Sequence, residues 1–495
     1  MKRYLLQIFS FLMALCLSVS VFVSCDNGQD QETADLDQTV TKTETETEEV
    51  HPTIEKKDYG ATFNLAAMSA SNHLKYHWVE ESEGDAMSES LFARQEQVRQ
   101  YLGVEIVGFE TEGDHTTYTE PFKISVKNKD DAYHLMLSHV HSGIPALIQG
   151  NYLRDFNSVD QFDLDADHWN KEFMEGLSLG DYMYLGRNDF NILYTYVISF
   201  NKTMMDRYDD ALESDVYTLV QNYKWTLDQM MSLASLVYVD ATADGKTEDD
   251  TFGITGVQWV PYIGFLHASG IQYIDVSEAG DYEVAVYNEV NQAKTATLIE
   301  KLSELASSDY SWFRYRIEPT PLVQLHTGRA LMQLTNTYDL PGMCSYDLEF
   351  GILPYPLFDE NQKDIGYRHL QWGGYLCMPS YTSDVAMSAE TVDCLAYFSD
   401  DVNVTFYEKL LGKQVADVPL DRQMLDLVWD TICPEFAQAY DDVSGGWLYM
   451  VPNLTHEGSG LNLASFVRGK ESSSNKSIEK FLYAVKKMNE KKNNK

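Results

Sequence analysis

Tryptophan and tyrosine are the residues whose types and positions in this sequence most clearly predict a chemical role. The 495 residues include 32 tyrosines and 8 tryptophans. Their rings are apolar with one polar tip, which suits binding surfaces as well as cores. Rings in polar loops are candidates for ligand contact, and core packing is the alternative for each. The candidates are Trp78 in KYHWVEESEGD, Trp169 in DHWN, Trp259 and Tyr262 in VQWVPYIG, Trp372 in QWGGY, and Trp447 in SGGWLY.

Polar side chains in loops after predicted strands form a second set of candidates. Open α/β sheets bind ligands beside the carboxyl ends of their strands, so side chains in those loops are expected to face a ligand. A solvated loop position is the alternative for each. The set comprises Ser71, Asn72, Glu80 and Asp85 in one loop, His141 and Ser142 in another, and Asp189 before a third strand.

Motifs for catalysis are absent from the sequence. It has no Gly-x-Ser-x-Gly elbow, no His-Glu-x-x-His motif and no Walker loop. Paired carboxylates can hydrolyse glycosides, but nothing singles out a pair among 76 Asp and Glu residues. The sequence therefore predicts a protein that is not an enzyme, with a hydrolase as the alternative.

The segment DATADGKTEDD is similar to part of a calcium-binding loop. Asp240, Asp244, Gly245 and Glu248 fit positions 1, 5, 6 and 9 of an EF-hand. Thr251 stands where the bidentate Glu belongs. A structural calcium ion held by Asp240, Asp244 and Glu248, and a solvated acidic turn without metal, both remain open. No other cofactor is predicted.

The first residues have the layout of an export signal. MKRYLLQIFSFLMALCLSVS begins with two basic residues and continues as an uncharged apolar run. With Ser24 and Cys25, the segment resembles a bacterial lipoprotein signal, although Phe22 and Val23 depart from that pattern. The resemblance implies a signal peptide over 1–24, cleaved before a lipidated Cys25. Because the run is long enough to cross a bilayer, an uncleaved anchor is the alternative.

Acidic residues dominate the next segment and the whole chain. Residues 25–58 are mostly Thr, Glu, Asp and Gln, and cannot bury enough apolar surface to fold. We therefore predict a disordered acidic tether over 25–58. The formal net charge of the chain is −39. This charge excludes nucleic acid as an expected partner, because that binding requires neutralisation of phosphates, and it disfavours an anionic ligand.

Four cysteines lie beyond the signal and Cys25, namely Cys344, Cys377, Cys394 and Cys433. No two of them have the Cys-x-x-Cys spacing of a zinc site. Export permits disulfides, but scattered cysteines in a large domain are more often buried thiols.

Apolar periodicity predicts strands that alternate with helices, and this order is typical of α/β layers. The predicted strands are Ala61–Met68, VEIVGFE, Ala132–Val140, Tyr194–Asn201, GRALMQLT and FGILPYP. The predicted helices are LFARQEQVRQYLG, which stops at Gly103, WTLDQMMSLASLV, with a capping box of Thr226 and Gln229, and Ala386–Ser399, Asp421–Tyr440 and Ser477–Asn489.

Several segments, in this order, resemble the extracellular solute-binding proteins of carbohydrate ABC transporters. LIQGNYLRDFNSV resembles the segment after the family's first ligand loop, and DLDADHWNKEF and LGDYMYLGRNDFN resemble the segment before its first crossover. VISFNKTMM, YKWTLDQM and HTGRALM resemble parts of its second lobe, and YDLEFGILPYPLFDENQ resembles a segment of a Firmicutes branch. In DHWN, Asp167 and His168 replace the family's Pro and Trp, which implies a different sugar preference if that turn contacts the ligand.

The resemblance implies the type 2 periplasmic-binding-protein fold, with two α/β lobes joined by hinge strands. Lobe one is expected at 59–190 plus 377–430, and lobe two at 191–376 plus 431–495. The crossovers near 191–194 and 373–376 are expected to be hinges, since the two glycines of WGGYL tolerate backbone angles that other residues resist. An ordinary turn between strands is the alternative for WGGYL.

The resemblance also implies a function. A lipid-anchored receptor on the extracellular face of the cell membrane would capture a carbohydrate between its lobes and deliver it, as a monomer, to the permease of an ABC importer. Flat rings would contact the apolar faces of the sugar, so alanine at Trp259 and Trp372 should weaken binding. The alternatives are an anchored extracellular glycoside hydrolase and a polysaccharide-binding or adhesive lipoprotein. A peptide ligand also remains open.

Overall fold

The computed structural model describes residues 54–69, 73–114, 117–139, 142–192, 194–276, 282–283, 288–314, 322–415, 419–456 and 461–493. The predicted signal, Cys25, most of the tether, and the candidates Ser71, Asn72 and His141 lie outside these residues. Within the described ranges, no helix combines the length and the hydrophobicity required to cross a membrane.

Strands and helices alternate along the chain, which confirms the predicted α/β class. The strands are β1 (Ala61–Met68), β2 (Val104–Thr111), β3 (Leu135–Ser138), β4 (Tyr196–Asn201), β5 (Phe252–Val257), β6 (Asp275–Val276), β7 (Tyr282–Glu283), β8 (Ser311–Arg314), β9 (Ala330–Asn336), β10 (Phe350–Leu353), β11 (His369–Leu370), β12 (Tyr375–Cys377) and β13 (Ile432–Cys433). The α-helices are α1 (Ala86–Leu102), α2 (Glu120–Asn128), α3 (Ile144–Gln149), α4 (Lys171–Glu175), α5 (Lys202–Met205), α6 (Val216–Gln221), α7 (Leu227–Ser235), α8 (Val260–Ala268), α9 (Glu289–Ser307), α10 (Leu322–His326), α11 (Leu340–Met343), α12 (Val385–Tyr397), α13 (Asp400–Val415), α14 (Pro419–Asp430), α15 (Phe436–Ala439), α16 (Asp441–Ser444), α17 (Met450–Thr455) and α18 (Leu463–Asn493). Short 3-10 helices lie at Leu74–Tyr76, Phe156–Ser158, Asp209–Ala211 and Glu360–Asp364.

Two sheets position the rest of the molecule. The first has the order β12-β3-β1-β2 and the second β10-β4-β9-β5-β8. In the first sheet β1, β2 and β3 are parallel, and β12 is antiparallel, with Tyr375 opposite Ser138. In the second sheet β5, β8 and β9 are parallel, and β4 is antiparallel to β9, with Tyr196 opposite Asn336. The carboxyl ends of β1 and β3 therefore share an edge with the start of β12, and those of β5 and β9 share one with the start of β4.

Both faces of the first sheet are covered along most of β1. Along β1, Phe63 and Leu65 pack in one apolar cluster, whereas Ala66 and Met68 pack in another. A strand with two covered faces is apolar almost throughout, which explains the run ATFNLAAM. The cluster that contains Met68 continues into the second sheet through residues such as Ile198, so apolar packing connects the two sheets.

Local capping follows the sequence closely. Helix α1 begins at Asp85, whose carboxylate accepts from the backbone amides of Met87 (3.0 Å) and Ser88 (3.3 Å). It ends at Gly103, which has φ 63°, a left-handed conformation that glycine adopts at little cost. Thr226 accepts from the amide of Gln229 (3.2 Å) at the start of α7, as the predicted capping box requires.

The prediction of one helix over Asp421–Tyr440 is wrong. Helix α14 ends at Asp430, and β13 follows before α15 begins at Phe436. Pro434 lies between them, and a proline disfavours the helical conformation of the residue before it. The resulting strand β13 pairs in parallel with β11.

Two chain segments cross side by side between the sheets. The amide of Trp372 donates to the carbonyl of Tyr194 (2.8 Å), and that of Gly374 donates to the carbonyl of Ser138 (2.7 Å). Gly373 and Gly374 have φ of 95° and 77°, which side chains rarely allow. The predicted need for glycine at these positions is confirmed, while their role as hinges stays a prediction.

Some segments contact a different sheet from the one their predicted lobe would suggest. Helix α14, within 377–430, packs on β10 of the second sheet. Helix α18, within 431–495, packs on α3, and its Asn489 donates to the hydroxyl of Tyr184 (2.7 Å). The lobe boundaries therefore stay a prediction. At the end of the predicted tether, Ile54 accepts from the Tyr101 hydroxyl (2.7 Å).

Candidate functional site

Aromatic rings gather at one edge of the first sheet. His73 follows β1, His139 follows β3, and Trp372 precedes β12, which runs in the opposite direction. The ring centroids of His139 and Trp372 are 5.9 Å apart, and those of His73 and His139 are 6.3 Å apart. The strand directions explain this meeting, since two strands end and one begins at the same edge.

Tyrosines gather at the corresponding edge of the second sheet. Tyr194 and Tyr196 lie at the start of β4, and Tyr338 follows β9. The antiparallel register brings these positions together, and the rings of Tyr194 and Tyr338 stack at 4.1 Å with an interplanar angle of 8°. Trp259 follows β5, a third strand that ends at this edge.

The two edges contact each other through their rings. His73 lies edge-on to Tyr194, with centroids 5.4 Å apart. Trp372 lies edge-on to Tyr196 at 6.2 Å, and Tyr76 contacts Tyr338 at 4.7 Å. The facing edges of the sheets therefore form one aromatic cluster, as expected for a fold that binds ligands where strands end.

Part of this cluster remains accessible to solvent. Tyr194, Tyr196, Trp259, Tyr338 and Tyr449 are each half-buried, and we refer to these five rings as the aromatic surface. Trp259 stacks on Tyr449 at 4.3 Å and 17°. Such rings offer apolar faces to a ligand together with hydroxyl groups at their edges.

Two hydroxyl groups of this surface, those of Tyr196 and Tyr338, are protonated at neutral pH. Burial raises the pKa of Tyr196 well above its ordinary value of 10.0, and the neighbouring Tyr194, Tyr355, Asp339 and Tyr449 add to the effect. Burial likewise raises the pKa of Tyr338. The surface can therefore donate and accept hydrogen bonds without carrying charge, which suits a neutral polar ligand.

Trp78 lines a separate cavity of about 490 Å³ beside the aromatic cluster. Its indole nitrogen donates to the carbonyl of Ile106 (2.9 Å). The ring lies against Gly108, where an added Cβ would approach it to 2.5 Å. Tyr76 also lines the cavity and contacts Tyr338, so the cavity adjoins the aromatic surface.

The cavity beside Trp78 carries an excess of acidic groups. The ionisable side chains in its lining are Glu80, Glu83, Asp85, Glu110, Lys75 and Lys409. Lys409 lies 3.7 Å from the carboxylate of Asp85. Burial opposes ionisation of Asp85, but hydrogen bonds from Ser88 and Met87 outweigh it and lower its pKa. The structure thus brings together three sequence candidates, Trp78, Glu80 and Asp85.

Ser142 fixes the loop that follows β3. Its hydroxyl bonds to the Tyr118 hydroxyl and to the carbonyl of His139. The Tyr118 hydroxyl also accepts from the amide of His139 (2.9 Å). Ser142 is buried, and its contacts orient His139 toward Trp372. Its predicted ligand contact stays a prediction.

Trp169 is buried against the first sheet. Its indole nitrogen donates to Asp393 Oδ1 (2.8 Å), and His168 Nε2 lies 2.6 Å from the same oxygen. The ring also packs on Phe156 and Phe162. The DHWN turn is therefore anchored to α12, because Nε2 of His168 and the indole nitrogen of Trp169 both contact Asp393.

The other candidates differ in exposure. Tyr262 is fully buried and packs on Phe313 at 5.2 Å. Trp447 is fully buried and packs on Phe466 at 5.6 Å. Asp189 is exposed, and its carbonyl accepts from Asn403 Nδ2 (2.7 Å). The structure does not bring these three residues into the aromatic surface, and their ligand contacts stay predictions.

The acidic loop near Asp240 is organised by its own backbone. Asp240 accepts from the amides of Ala243 (2.6 Å) and Gly245 (3.3 Å). The two candidates Asp244 and Glu248 are exposed. Across the described residues, no group of three or more His, Cys, Asp or Glu side chains is arranged to hold a metal ion. The acidic turn without metal and the alternative of calcium at Asp240, Asp244 and Glu248 both stay open.

A larger cavity, of about 760 Å³, lies at the opposite end of the same strands. Its lining includes Lys56, Gly60, Arg99 and Glu105, at the amino ends of β1 and β2. It contains no aromatic ring, so its size alone does not make it the stronger candidate.

Sequence reasoning missed most of the aromatic surface. Tyr194, Tyr196, Tyr338 and Tyr449 were not among its candidates, because tyrosines are numerous and their role depends on strand register. The available signal was position, since Tyr194 and Tyr196 stand just before or at the start of a predicted strand.

Comparison with known proteins identifies the fold. No protein-family model matches the chain, and no curated protein matches it. Among solved structures, the galacto-N-biose/lacto-N-biose I-binding protein of an ABC transporter from Bifidobacterium longum has a TM-score of 0.55 and 12% identity, with 86% of this chain and 98% of that chain covered. The GacH receptor of Streptomyces glaucescens has a TM-score of 0.53 and 12% identity, with 86% and 98% covered.

A third similar structure is the maltotriose binding protein of Thermus thermophilus. It has a TM-score of 0.53 and 13% identity, and the alignment covers 84% of this chain and 100% of that chain. At these identities the likeness establishes architecture alone. The protein therefore has the predicted periplasmic-binding-protein fold, in the form seen in these sugar-binding receptors.

Proposed function

We propose that this protein is a lipid-anchored receptor of an ABC importer that captures a carbohydrate on the extracellular side of the membrane and delivers it to the permease. The ligand is a neutral mono- or oligosaccharide. The protein acts by capture, without catalysis. The observation that carries the proposal is the aromatic surface, five half-buried rings beside the edge of the second sheet that faces the first.

The chemistry of the aromatic surface suits a sugar. A pyranose has apolar C–H faces that stack on flat rings and hydroxyl groups that need neutral partners. The Trp259 and Tyr449 pair supplies faces, and Tyr196 supplies a hydroxyl that is protonated at neutral pH. The structural neighbours support this ligand class, since their names mention acarbose, maltotriose and lacto-N-biose.

The mechanism follows from the position of the surface between the sheets. A ligand that contacts the aromatic surface and also the edge of the first sheet would stabilise the closed arrangement, and only by as much as it binds that arrangement more tightly. The crossing segments near Tyr194 and Gly373 are the places where the backbone would turn, because both run between the two sheets and Gly373 and Gly374 have left-handed conformations. The permease would recognise the closed form, and Cys25 would hold the receptor at the membrane.

Isothermal titration calorimetry with neutral oligosaccharides tests the proposal, with maltotriose and lacto-N-biose as the first probes. We expect saturable binding of one sugar, together with a change in tryptophan fluorescence and no turnover. Trp259→Ala should weaken that binding by about tenfold, the loss expected for one stacked ring of about 1.4 kcal/mol.

Trp312→Phe is the matched control. Trp312 lies on β8, stacks on Phe252 at 5.3 Å and is outside the aromatic surface. The Trp312→Phe variant should therefore bind the sugar with the same affinity as the unchanged protein. Hydrolysis of the sugar would overturn the proposal in favour of an enzyme. Unchanged affinity in Trp259→Ala would overturn the assigned site.

A further inference from the structure

A cysteine, a histidine and a glutamate form a connected triad away from the aromatic surface. His267 Nε2 lies 3.2 Å from Cys433 Sγ, and His267 Nδ1 lies 3.7 Å from a carboxylate oxygen of Glu435. His267 lies on α8, and Cys433 ends β13. An imidazole between a thiol and a carboxylate is the arrangement that activates a nucleophilic cysteine.

The triad is held rigidly by its surroundings. His267 and Glu435 are buried, and Glu435 also accepts from the amide of Ala437 (3.1 Å) at the start of α15. Strand β13 is held by its parallel pairing with His369–Leu370. Cys433 itself is half-buried, whereas His267 and Glu435 are buried.

Charges around Cys433 favour the thiolate. Burial raises the pKa of Cys433, but the charge and hydrogen bond of His267, with a further contribution from Arg368, outweigh burial and the opposing charge of Glu435, and hold its pKa below the ordinary value of 9.0. Arg187 adds a second nearby cation. His369, on the paired strand, is neutral, since burial lowers its pKa to about 3.

His267 has the complementary shift. Burial lowers its pKa, but the charge and hydrogen bond of Cys433, with a hydrogen bond to Glu435, raise it to about 9. At neutral pH His267 is therefore an imidazolium, whose charge favours the thiolate form of Cys433. The thiolate is the form of cysteine that attacks electrophiles.

The other described cysteines provide the contrast. Cys377 and Cys394 are buried, and burial raises the pKa of Cys377 to about 12 and that of Cys394 further. Cys344 is half-buried, like Cys433, but burial raises its pKa as well. Cys344 therefore matches Cys433 in exposure and differs from it in charge.

We propose that Cys433 is a modification site, a nucleophilic thiol that reacts with hydroperoxides and with small alkylating agents. With hydrogen peroxide, the thiolate attacks one oxygen, an S–O bond forms and the O–O bond breaks. The sulfur is oxidised by two electrons to a sulfenic acid, and the peroxide is reduced. The departing hydroxide takes the proton of the His267 imidazolium and leaves as water. This proposal is independent of the sugar.

Site-specific alkylation tests the assignment. The full chain is exposed to iodoacetamide over a range of pH, and peptide mass spectrometry follows each cysteine; the thiolate displaces iodide as the S–C bond forms. At about pH 7, Cys433 should react at least about tenfold faster than Cys344. The midpoint of its rate profile should lie at a lower pH than that of Cys344, and dimedone should trap a sulfenic acid at Cys433 after treatment with peroxide.

His267→Gln removes the cation and should move the midpoint of the Cys433 rate profile up toward that of an ordinary thiol, near about 8.5. Should His267→Gln fail to fold, the comparison of Cys433 with Cys344 in the unchanged protein decides the proposal. The inference is overturned if Cys433 in the unchanged protein reacts no faster than Cys344, or if its rate rises only through the ordinary thiol range.

Discussion

The pair formed by His168 and Asp393 makes the stability of the first sheet depend on pH. Burial lowers the pKa of His168, but the hydrogen bond and the charge of Asp393 outweigh it, and the pKa is raised above its ordinary value of 6.5. Asp393 is buried and also accepts from Trp169. The protonated histidine therefore stabilises the folded state more than the neutral one does.

His168→Gln should lower the free energy of unfolding more at about pH 5.5 than at about pH 8.5. Because folding raises the pKa of His168, its protonated ring contributes to the free energy of unfolding. This contribution is complete below the unfolded-state pKa of 6.5, and it is lost as pH rises through the folded-state pKa. Urea denaturation at both pH values measures the difference between the variant and the unchanged protein.

Trp169→Phe is the control for this prediction. It removes the other hydrogen bond to Asp393 without removing a titratable group, so its destabilisation should be the same at both pH values. Equal losses for His168→Gln at the two pH values would show that the raised pKa contributes nothing to folding.

Burial, rather than residue type, separates the aromatic candidates. Trp259 and Trp372 were predicted from their loops; Trp259 is half-buried on the aromatic surface, whereas Trp372 is buried within the aromatic cluster. Trp447 had an equally polar loop but is fully buried. Composition around a ring indicates where the chain turns, not which way the ring points after the turn. Tyr194 and Tyr338 stack because of strand register, which no single segment of sequence specifies.

Helix α14 is tied to the second sheet by one buried carboxylate. Asp421 is fully buried and bonds to Lys202 Nζ. It also accepts from the hydroxyl of Tyr217 (2.5 Å). Lys202 begins α5 directly after β4, and Tyr217 lies on α6. One side chain thus joins three helices to the strand that starts at the aromatic surface.

Asp421→Asn should destabilise the protein by about 3 kcal/mol, because it leaves the partly buried Lys202 without its counterion. Chemical denaturation at neutral pH measures the change in the free energy of unfolding. Asp228→Asn breaks the exposed pair with Lys301, whose N–O distance is 2.5 Å, and should cost less than about 1 kcal/mol. Similar losses in the two variants would contradict this account of α14.

The type of a helix or strand, and the residues at its ends, could be predicted where the sequence signal lies within a few positions of the chain. Gly103 ends α1 and Thr226 begins α7 because capping involves residues only a few positions apart. The prediction of one helix across Pro434 is wrong, because it followed the apolar spacing on both sides of the proline and took no account of the proline itself. The packing of α14 on β10 was missed for a different reason, since it depends on a carboxylate that meets partners about 200 positions earlier in the chain.

At the scale of the whole molecule, charge discriminates between classes of sugar. The chain has a formal net charge of −39, and the cavity beside Trp78 has four carboxylates against two lysines. A neutral sugar interacts little with this field, whereas an anionic sugar must approach against it. Salt weakens such repulsion, with a Debye length of about 10 Å at 0.1 M.

A neutral oligosaccharide should therefore bind with nearly the same affinity at about 20 mM and about 500 mM salt, because no charge is paired or repelled. A uronate-containing analogue of the same length should bind at least about tenfold more weakly at the lower salt, and the difference should shrink at the higher salt as the field is screened. Calorimetric titration of both sugars at both salt concentrations measures the four affinities. Comparable affinities of the two sugars at low salt would mean that the ligand meets a local basic environment, which the residues around Trp78 and the aromatic surface do not provide.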